Sequence, residues 1–266
     1  MDAPTVRFTI DGIEVDAAPG QSVLEACDAA GIYIPRLCYH PDLGPSGNCR
    51  VCTCKINGRN SAACVTPAAH GMVIENDTPQ LTGDRRAVIE MLFVEGNHPC
   101  PYCVASGDCE LQALGYRLGM VAPVQPYQWR SQPIDATHPD IYLDRDRCIL
   151  CSRCIRASRK ADGKTVFGFE GRGIAMRLNV DAEGGLGETQ MAAIDKAARV
   201  CPVACIVVKR DSYKIPDGSR RFDTAPIGSD TVSGSGVVTP ILRAFSMIFA
   251  RPRLADSKTL LWPGTG

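Results

Sequence analysis

The sequence predicts an α+β protein built as small modules in series, and three observations carry that prediction. Fourteen cysteines in 266 residues fall into short runs, and none lies after Cys205. Residues 1–80 show strand alternation followed by a capped helix, whereas from about Pro79 the pattern turns helical. A stretch with Pro123, Pro126, Pro133 and Pro139 then separates the helical part from a last cysteine-bearing region. The predicted units are 1–80, 81–120, a linker at 121–140, a third unit at 141–215 and an extended tail at 216–266.

In the first unit, Val6-Arg7-Phe8-Thr9-Ile10 alternates, Asp11-Gly12 supplies a hairpin turn and Ile13-Glu14-Val15 continues the strand pair. Ser22 with Glu25 forms a capping box for a helix running to about Ala30, and Gly31 suits its stop. A turn-rich loop holds Cys38 to Cys52, and Arg50 to Ile56 reads as a strand closed by Asn57-Gly58. In the second unit, Val88, Met91 and Leu92 lie on one helical face ending near Gly96, and Leu111, Leu114 and Leu118 on another. After Lys209-Arg210 the chain turns Pro/Gly/Ser-rich and is expected to be extended.

Composition narrows the function. Lys+Arg and Asp+Glu balance at 29 each, so no net field draws the chain onto nucleic acid or an anionic membrane. No run of eighteen apolar residues occurs, which argues against a spanning helix. Met1-Asp2-Ala3-Pro4 lacks a secretory layout, so a cytoplasmic location is expected. Fourteen cysteines in such a chain point to metal or redox chemistry rather than disulfides, since runs of three leave one unpaired each time.

The cysteines fall into three constellations. The first is Cys38-x10-Cys49-x2-Cys52-x11-Cys64, where a glycine-bearing loop (Gly44, Gly47) and four thiolates suit a [2Fe–2S] cluster. A four-cysteine zinc site is the alternative, though one C-x2-C pair fits zinc less well than two. The second is His98-x-Cys100-x2-Cys103-x5-Cys109, three thiolates for a cubane with one iron left for a nitrogen ligand. The third is Cys148-x2-Cys151-x2-Cys154 with Cys201-Pro202 downstream, the spacing of bacterial [4Fe–4S] proteins. Ser158 stands where a fourth local cysteine would sit, so one such cluster is expected there and not two. Cys27, Cys54 and Cys205 read as packing residues. Neither a G-x-G-x-x-G after a strand nor a P-loop is present, and no acid/base constellation appears.

With these motifs in order, the chain resembles the iron–sulfur subunits of complex I NADH modules and their soluble relatives over about residues 4–228. The shared text includes Tyr33 to Pro41, Gly47 to Cys52, Cys109-Glu110-Leu111-Gln112, Arg147 to Cys151, Gly171-Arg172-Gly173 and Val200-Cys201-Pro202-Val203. The short length, and the single residue between His98 and Cys100, favour the branch of diaphorase gamma subunits of soluble NAD-reducing [NiFe] hydrogenases.

The resemblance implies an N-terminal β-grasp [2Fe–2S] ferredoxin domain, a small helical [4Fe–4S] segment with one His and three Cys ligands, and a C-terminal bacterial-ferredoxin-like [4Fe–4S] domain. It implies no substrate site in this chain. FMN and NAD would belong to a partner flavoprotein diaphorase subunit, and the Ni–Fe site would be reached through a hydrogenase small subunit, in a hetero-oligomer. The same relay in a NAD-dependent formate dehydrogenase or a respiratory NADH dehydrogenase is the alternative. A cluster-based redox sensor is a further one, for which no DNA-binding helix pair speaks. In the tail, Ile241, Leu242, Phe245, Ile248 and Phe249 form an apolar helical face, expected to dock on a partner subunit, with a membrane-surface anchor as the other reading.

Overall fold

The computed structural model describes residues 5–231; the apolar face expected at 241–249 lies outside the described residues. Strands β1 (Val6–Ile10) and β2 (Ile13–Ala17) form the expected antiparallel hairpin. Asp11 and Gly12 both adopt positive φ, at 48° and 81°, the turn whose twist matches that of the strands. Helix α1 (Val23–Ala29) begins with the capping box: the Glu25 amide donates to Ser22 Oγ and the Ser22 amide to Glu25 Oε2. It stops at Gly31, φ +74°, where the Gly31 amide reaches Asp28 O at 3.1 Å and the Ile32 amide Cys27 O at 2.8 Å. That pair of bonds satisfies two carbonyls the helix end leaves open.

Three more strands complete the sheet: β3 (Thr53–Ile56), β4 (Arg59–Ala62) and β5 (Val73–Glu75), in the order β2-β1-β5-β3-β4. Only β1 and β5 are parallel. The expected strand from Arg50 starts three residues late. Arg50 has φ 58°, and its carbonyl accepts from both the amide and the hydroxyl of Thr53, so residues 50–52 form a turn that closes the cysteine loop. β4 and β5 had no sequence signal, since Arg59-Asn60-Ser61 carries no apolar alternation and β5 is three residues long.

Helix α2 (Pro79–Val94) is capped by Thr78, whose hydroxyl accepts from the Leu81 amide, with Pro79 in the first turn. Helix α3 (Glu110–Arg117) packs on it through Leu111 and Leu114, both fully buried. The third unit pairs β6 (Ile141–Leu143) with β9 (Ile206–Val208). Between them lie α4 (Arg153–Lys160), a hairpin of β7 (Phe167–Glu170) and β8 (Arg177–Val180), and the short α5 (Lys196–Arg199).

Two hydrophobic cores hold these units together. One lies between the five-stranded sheet and α1, around Phe8, Ile10, Leu24 and Ile74. The other runs without a break from α2 and α3 into the third unit and takes in Leu37, Cys38, Leu43 and Val51 from the first cysteine loop. The helical unit therefore has no core of its own; burial shared with its neighbours stabilises it.

The linker is a surface strap as far as about residue 134, with Val121 93% exposed and the amides of Val124 and Gln125 bonded to Glu90. Residues 135–140 instead belong to the third unit. Asp135 is buried and accepts from the Leu186 amide at 2.8 Å, and His138 is buried against Met191 O. The segment after Arg210 is not extended but a series of turns pinned back on α3: the Phe222 amide bonds Gly107 O, and Arg117 bonds Ile227 O. Among the described residues no helix is long and apolar enough to cross a membrane.

Candidate metal centres

The first centre sits where the loop after α1 meets the sheet. Cys38, Cys52 and Cys64 are fully buried and Cys49 is partly exposed. The thiols are in mutual contact: those of Cys49 and Cys64 hydrogen-bond Cys38 and hold it low, which pushes both of them up. The Cys38 amide also points at Cys49 Sγ, 3.4 Å away. Gly44, Gly47 and Arg50 all have positive φ, which curls the loop and turns amides toward the sulfurs. Such N–H···S bonds stabilise the more negative, reduced form of an iron–sulfur cluster.

The second centre lies at the α2–α3 junction, where His98, Cys100, Cys103 and Cys109 line one small cavity with Phe93, Ser106, Gln112 and Arg147. His98 carries the clearest sign of a ligand. Its Nε2 is buried without a hydrogen-bond partner, while its ring bonds the Leu92 carbonyl. Burial lowers its pKa to about 4, so the imidazole is neutral with a free lone pair, the state a metal requires. The thiol of Cys109 caps α3, accepting from the Gln112 amide at 3.5 Å. Burial nonetheless pushes it up to about 12, so a metal binding here would have to displace a proton.

Gly96 shapes this pocket. An added Cβ would stand 2.5 Å from His98 Nε2 and 2.9 Å from Asp146 O. With His98, Cys100, Cys103 and Cys109 read as the ligands of an iron–sulfur cluster, the Gly96→Ala protein is expected to lose the histidine nitrogen coupling in pulsed EPR of the reduced centre while the thiolates keep iron. An unchanged coupling would show that the glycine does not set the imidazole position.

The third centre gathers Cys148, Cys151, Cys154 and Cys201 around a cavity closed by Ile149, Phe169, Leu178 and Val203. The loop through the first three coils tightly, with Leu150 and Ser152 both at positive φ. Burial pushes the Cys151 thiol up to about 12 and raises Cys154 as well. Cys201 is brought down to about 6 by a hydrogen bond from the Cys205 thiol, helped by amides of Val203, Cys205 and Ile206. Ser158 is no ligand: its hydroxyl donates to Lys164 O and accepts from the Val166 amide. Cys27 and Cys54 are packed in the sheet core as expected, and burial drives both thiols up. Cys205 is buried too, but its thiol faces Cys148 and Cys201, which the packing expectation did not foresee.

Among the described residues no three Cys, His, Asp or Glu side chains converge closely enough to share a single metal ion. A tetrahedral zinc needs its sulfurs at about 2.3 Å. The second and third sets of four each line a cavity, an arrangement that suits a multi-iron cluster.

Three arginines that no spacing rule singles out tie the centres together. Arg153, 3% exposed, forms a two-pronged bond to Glu110 (2.7 and 2.8 Å) and a third to Tyr39 O (2.8 Å), joining all three cysteine regions. Arg156 donates to the carbonyls of Cys38 and Gly44. Arg147 follows the third centre's loop but points into the second, its Nη1 3.4 Å from Cys103 Sγ, while its Nε holds Asp144 at 2.9 Å. The contacts support an order. Ser152 of the third centre's loop meets Ser46 and Asn48 of the first, whereas Val203 lines both the second and third cavities. The third centre's loops thus touch both of the others.

Comparison with known proteins finds iron–sulfur domains along the chain. Residues 3–79 match the 2Fe-2S iron-sulfur cluster binding domain, 85–122 the NADH-ubiquinone oxidoreductase-G iron-sulfur binding region, and 141–208 the 4Fe-4S single cluster domain. The chain is 37% identical over 233 residues to the gamma subunit of the NAD-reducing hydrogenase HoxS of Cupriavidus necator, covering 86% of this chain and 98% of that one. It is 31% identical over 264 residues to the mitochondrial NADH-ubiquinone oxidoreductase 78 kDa subunit of Candida albicans, covering 97% of this chain but only 36% of that protein. Among solved structures it matches a chain of an NAD+-reducing [NiFe]-hydrogenase in the H2-reduced state. That match has a TM-score of 0.81 and 49% identity over 83% of this chain and 94% of the other.

Proposed function

Because the chain belongs to the family of NAD-reducing hydrogenase gamma subunits, related to the N-terminal iron–sulfur region of the complex I 78 kDa subunit, we propose that it relays single electrons between a flavoprotein diaphorase subunit and a hydrogenase small subunit. The complex would carry out H2 + NAD+ = NADH + H+, with FMN, NAD and the Ni–Fe site in partner chains. Clusters, when bound, supply one-electron carriers held at potentials the protein sets.

The ligands in this reading are Cys38, Cys49, Cys52 and Cys64 for a [2Fe–2S] cluster in a β-grasp domain. His98, Cys100, Cys103 and Cys109 would hold one [4Fe–4S] cluster, and Cys148, Cys151, Cys154 and Cys201 another. The domain limits in this reading are 1–80, 81–120, 141–215 and a tail from 216, with 121–140 as a linker whose last residues, 135–140, pack with the third unit, and the location is cytoplasmic. The mixed five-stranded sheet with α1 packed on it supports the β-grasp reading. The unpaired Nε2 of His98 supports the histidine ligand. The observation that carries the function is the uninterrupted adjacency of the three centres, first to third through Ser152 and third to second through Val203.

The residues here position and tune; none needs to move a proton to a substrate. Arg147 places positive charge beside a ligand of the second centre and so favours its reduced form. At an effective dielectric near 20, one charge about 4 Å away is worth about 4 kcal/mol, much of which Asp144 and ionic screening cancel. The Arg147→Met complex is expected to show that centre's midpoint potential lowered by on the order of 50 mV. A redox titration followed by EPR reads this directly, and a shift of the first centre instead would contradict the assignment.

The 31% identity to the NADH-ubiquinone oxidoreductase 78 kDa subunit keeps a respiratory relay as the second reading, with a formate-linked one beside it, although this chain spans about a third of that relative's length. Anaerobic purification through a tag on this chain, then exposure to H2, decides between them. Bleaching of cluster absorbance together with NADH formation is the expected result. Bleaching by formate or NADH but not by H2 would leave the relay standing and remove the hydrogenase assignment. No bleaching by any donor in a cluster-loaded complex would remove the relay.

A further inference from the structure

The third centre has five thiols for four corners. Cys205 is 2% exposed and lines the same cavity as Cys148, Cys151, Cys154 and Cys201. Its thiol lies within hydrogen-bonding contact of the Cys148 and Cys201 sulfurs. The backbone holds it there: the Cys205 carbonyl accepts from the Asp144 amide at 2.7 Å, and strand β9 begins at the next residue. The other two cysteines outside the ligand sets behave differently. Cys27 is buried in α1, and Cys54 turns its sulfur to Asn76 and Arg85, away from any centre.

The two corners Cys205 can reach are also the more accessible ones. Cys148 and Cys201 are partly exposed, whereas Cys151 and Cys154 are buried. Cys201 in addition lines a polar cleft with His40, Arg199 and Arg221. That cleft gives Cys201 a polar approach that Cys148 lacks among the cavities described.

We propose that Cys205 is a reserve ligand of the third centre, able to take the iron corner that Cys201 holds. The proposal rests on reading this centre as a four-iron cluster. In the exchange the Fe–Sγ bond to Cys201 breaks and one to Cys205 forms. The Cys205 thiol proton passes to the freed Cys201 thiolate, and no electron is gained or lost. Because ligand number and type are conserved, the cluster keeps its charge, but its hydrogen bonds differ, so its EPR signature changes.

The test uses the whole complex purified anaerobically with this chain as wild type, Cys201→Ala, Cys205→Ala, or both together, and measures iron per chain and EPR of the dithionite-reduced protein. The expected result is that both single variants keep the third centre's signal, shifted in Cys201→Ala, and that the double variant loses it. The first and second centres' signals persist throughout and report that the chain is folded. If Cys201→Ala loses the third signal and its iron as fully as the double variant, the proposal is overturned. Should the alanine chain fail to accumulate, Cys201→Ser, with and without Cys205→Ala, gives the same comparison in a side chain of similar size. A wild-type complex with the first two signals but no third would overturn the cluster reading and the proposal with it. Loss confined to the Cys201 variants of a fully loaded protein overturns the proposal alone.

Discussion

Replacing Cys154 with alanine is expected to remove the third centre and stop electron passage between the first and the second. Cys154 is buried at the start of α4, and its sulfur shares the cavity with Cys148, Cys151 and Cys201. Cys205 faces Cys148 and Cys201, so it stands at the wrong corner to replace it. With the third centre as the link between the other two, an order its contacts with both support, the loss is expected to divide the chain into two disconnected carriers. A single donor, H2 or NADH, should then reduce one of the two remaining centres and leave the other oxidised, and H2-driven NADH formation should fall to background. EPR of the frozen complex after each donor gives the result. Both signals appearing with one donor would mean that electrons pass between the first and second centres directly, and the order read from the contacts would be wrong.

A second large effect is expected from Arg153→Met. The guanidinium is 3% exposed and satisfies both oxygens of Glu110 and the Tyr39 carbonyl. Methionine can fill the space but removes the donor from the Tyr39 carbonyl and leaves Glu110 only Arg221, 3.7 Å away. Breaking a buried pair costs roughly 3–5 kcal/mol, and the 16% exposure of Glu110 reduces that to about 2–3 kcal/mol here. For a domain of this size, that lowers the unfolding temperature by roughly 5–10 °C. Thermal bleaching of the visible cluster absorption measures it, since unfolding releases the iron. Arg153→Lys should recover only part of the loss, because an ammonium keeps the charge but not the two-pronged geometry. Bleaching at the wild-type temperature in Arg153→Met would show that the three cysteine regions are held together by the shared core alone.

Much of the local structure is legible in the residues themselves. Asp11-Gly12 and Asn57-Gly58 mark turns because both central positions need positive φ. Ser22 with Glu25 marks a helix start because each side chain satisfies the other's amide. Cysteine spacing works for the same reason: Cys148, Cys151 and Cys154 lie close enough along the chain for one coiled loop to bring them to a common cavity. The polar strand β4 and the three-residue β5 escape notice, since their pairing comes from the rest of the sheet and not from their own pattern. Arg50 misleads, because only the folded loop shows that it turns instead of extending.

The sequence by itself determined the fold class, the three cysteine constellations and the family, because helix caps, tight turns and ligand spacing act over a few residues and leave a local trace. The tertiary structure decided that the third centre's loops touch both of the others, that Arg147 points to a centre other than the one beside it in the chain, and that Cys205 faces the cavity. Those facts depend on contacts such as Arg153 with Tyr39, 114 residues apart, and Ser152 with Ser46, 106 apart. Long-range pairs of this kind form only when the shared core brings distant segments together, and no periodicity in the chain records them.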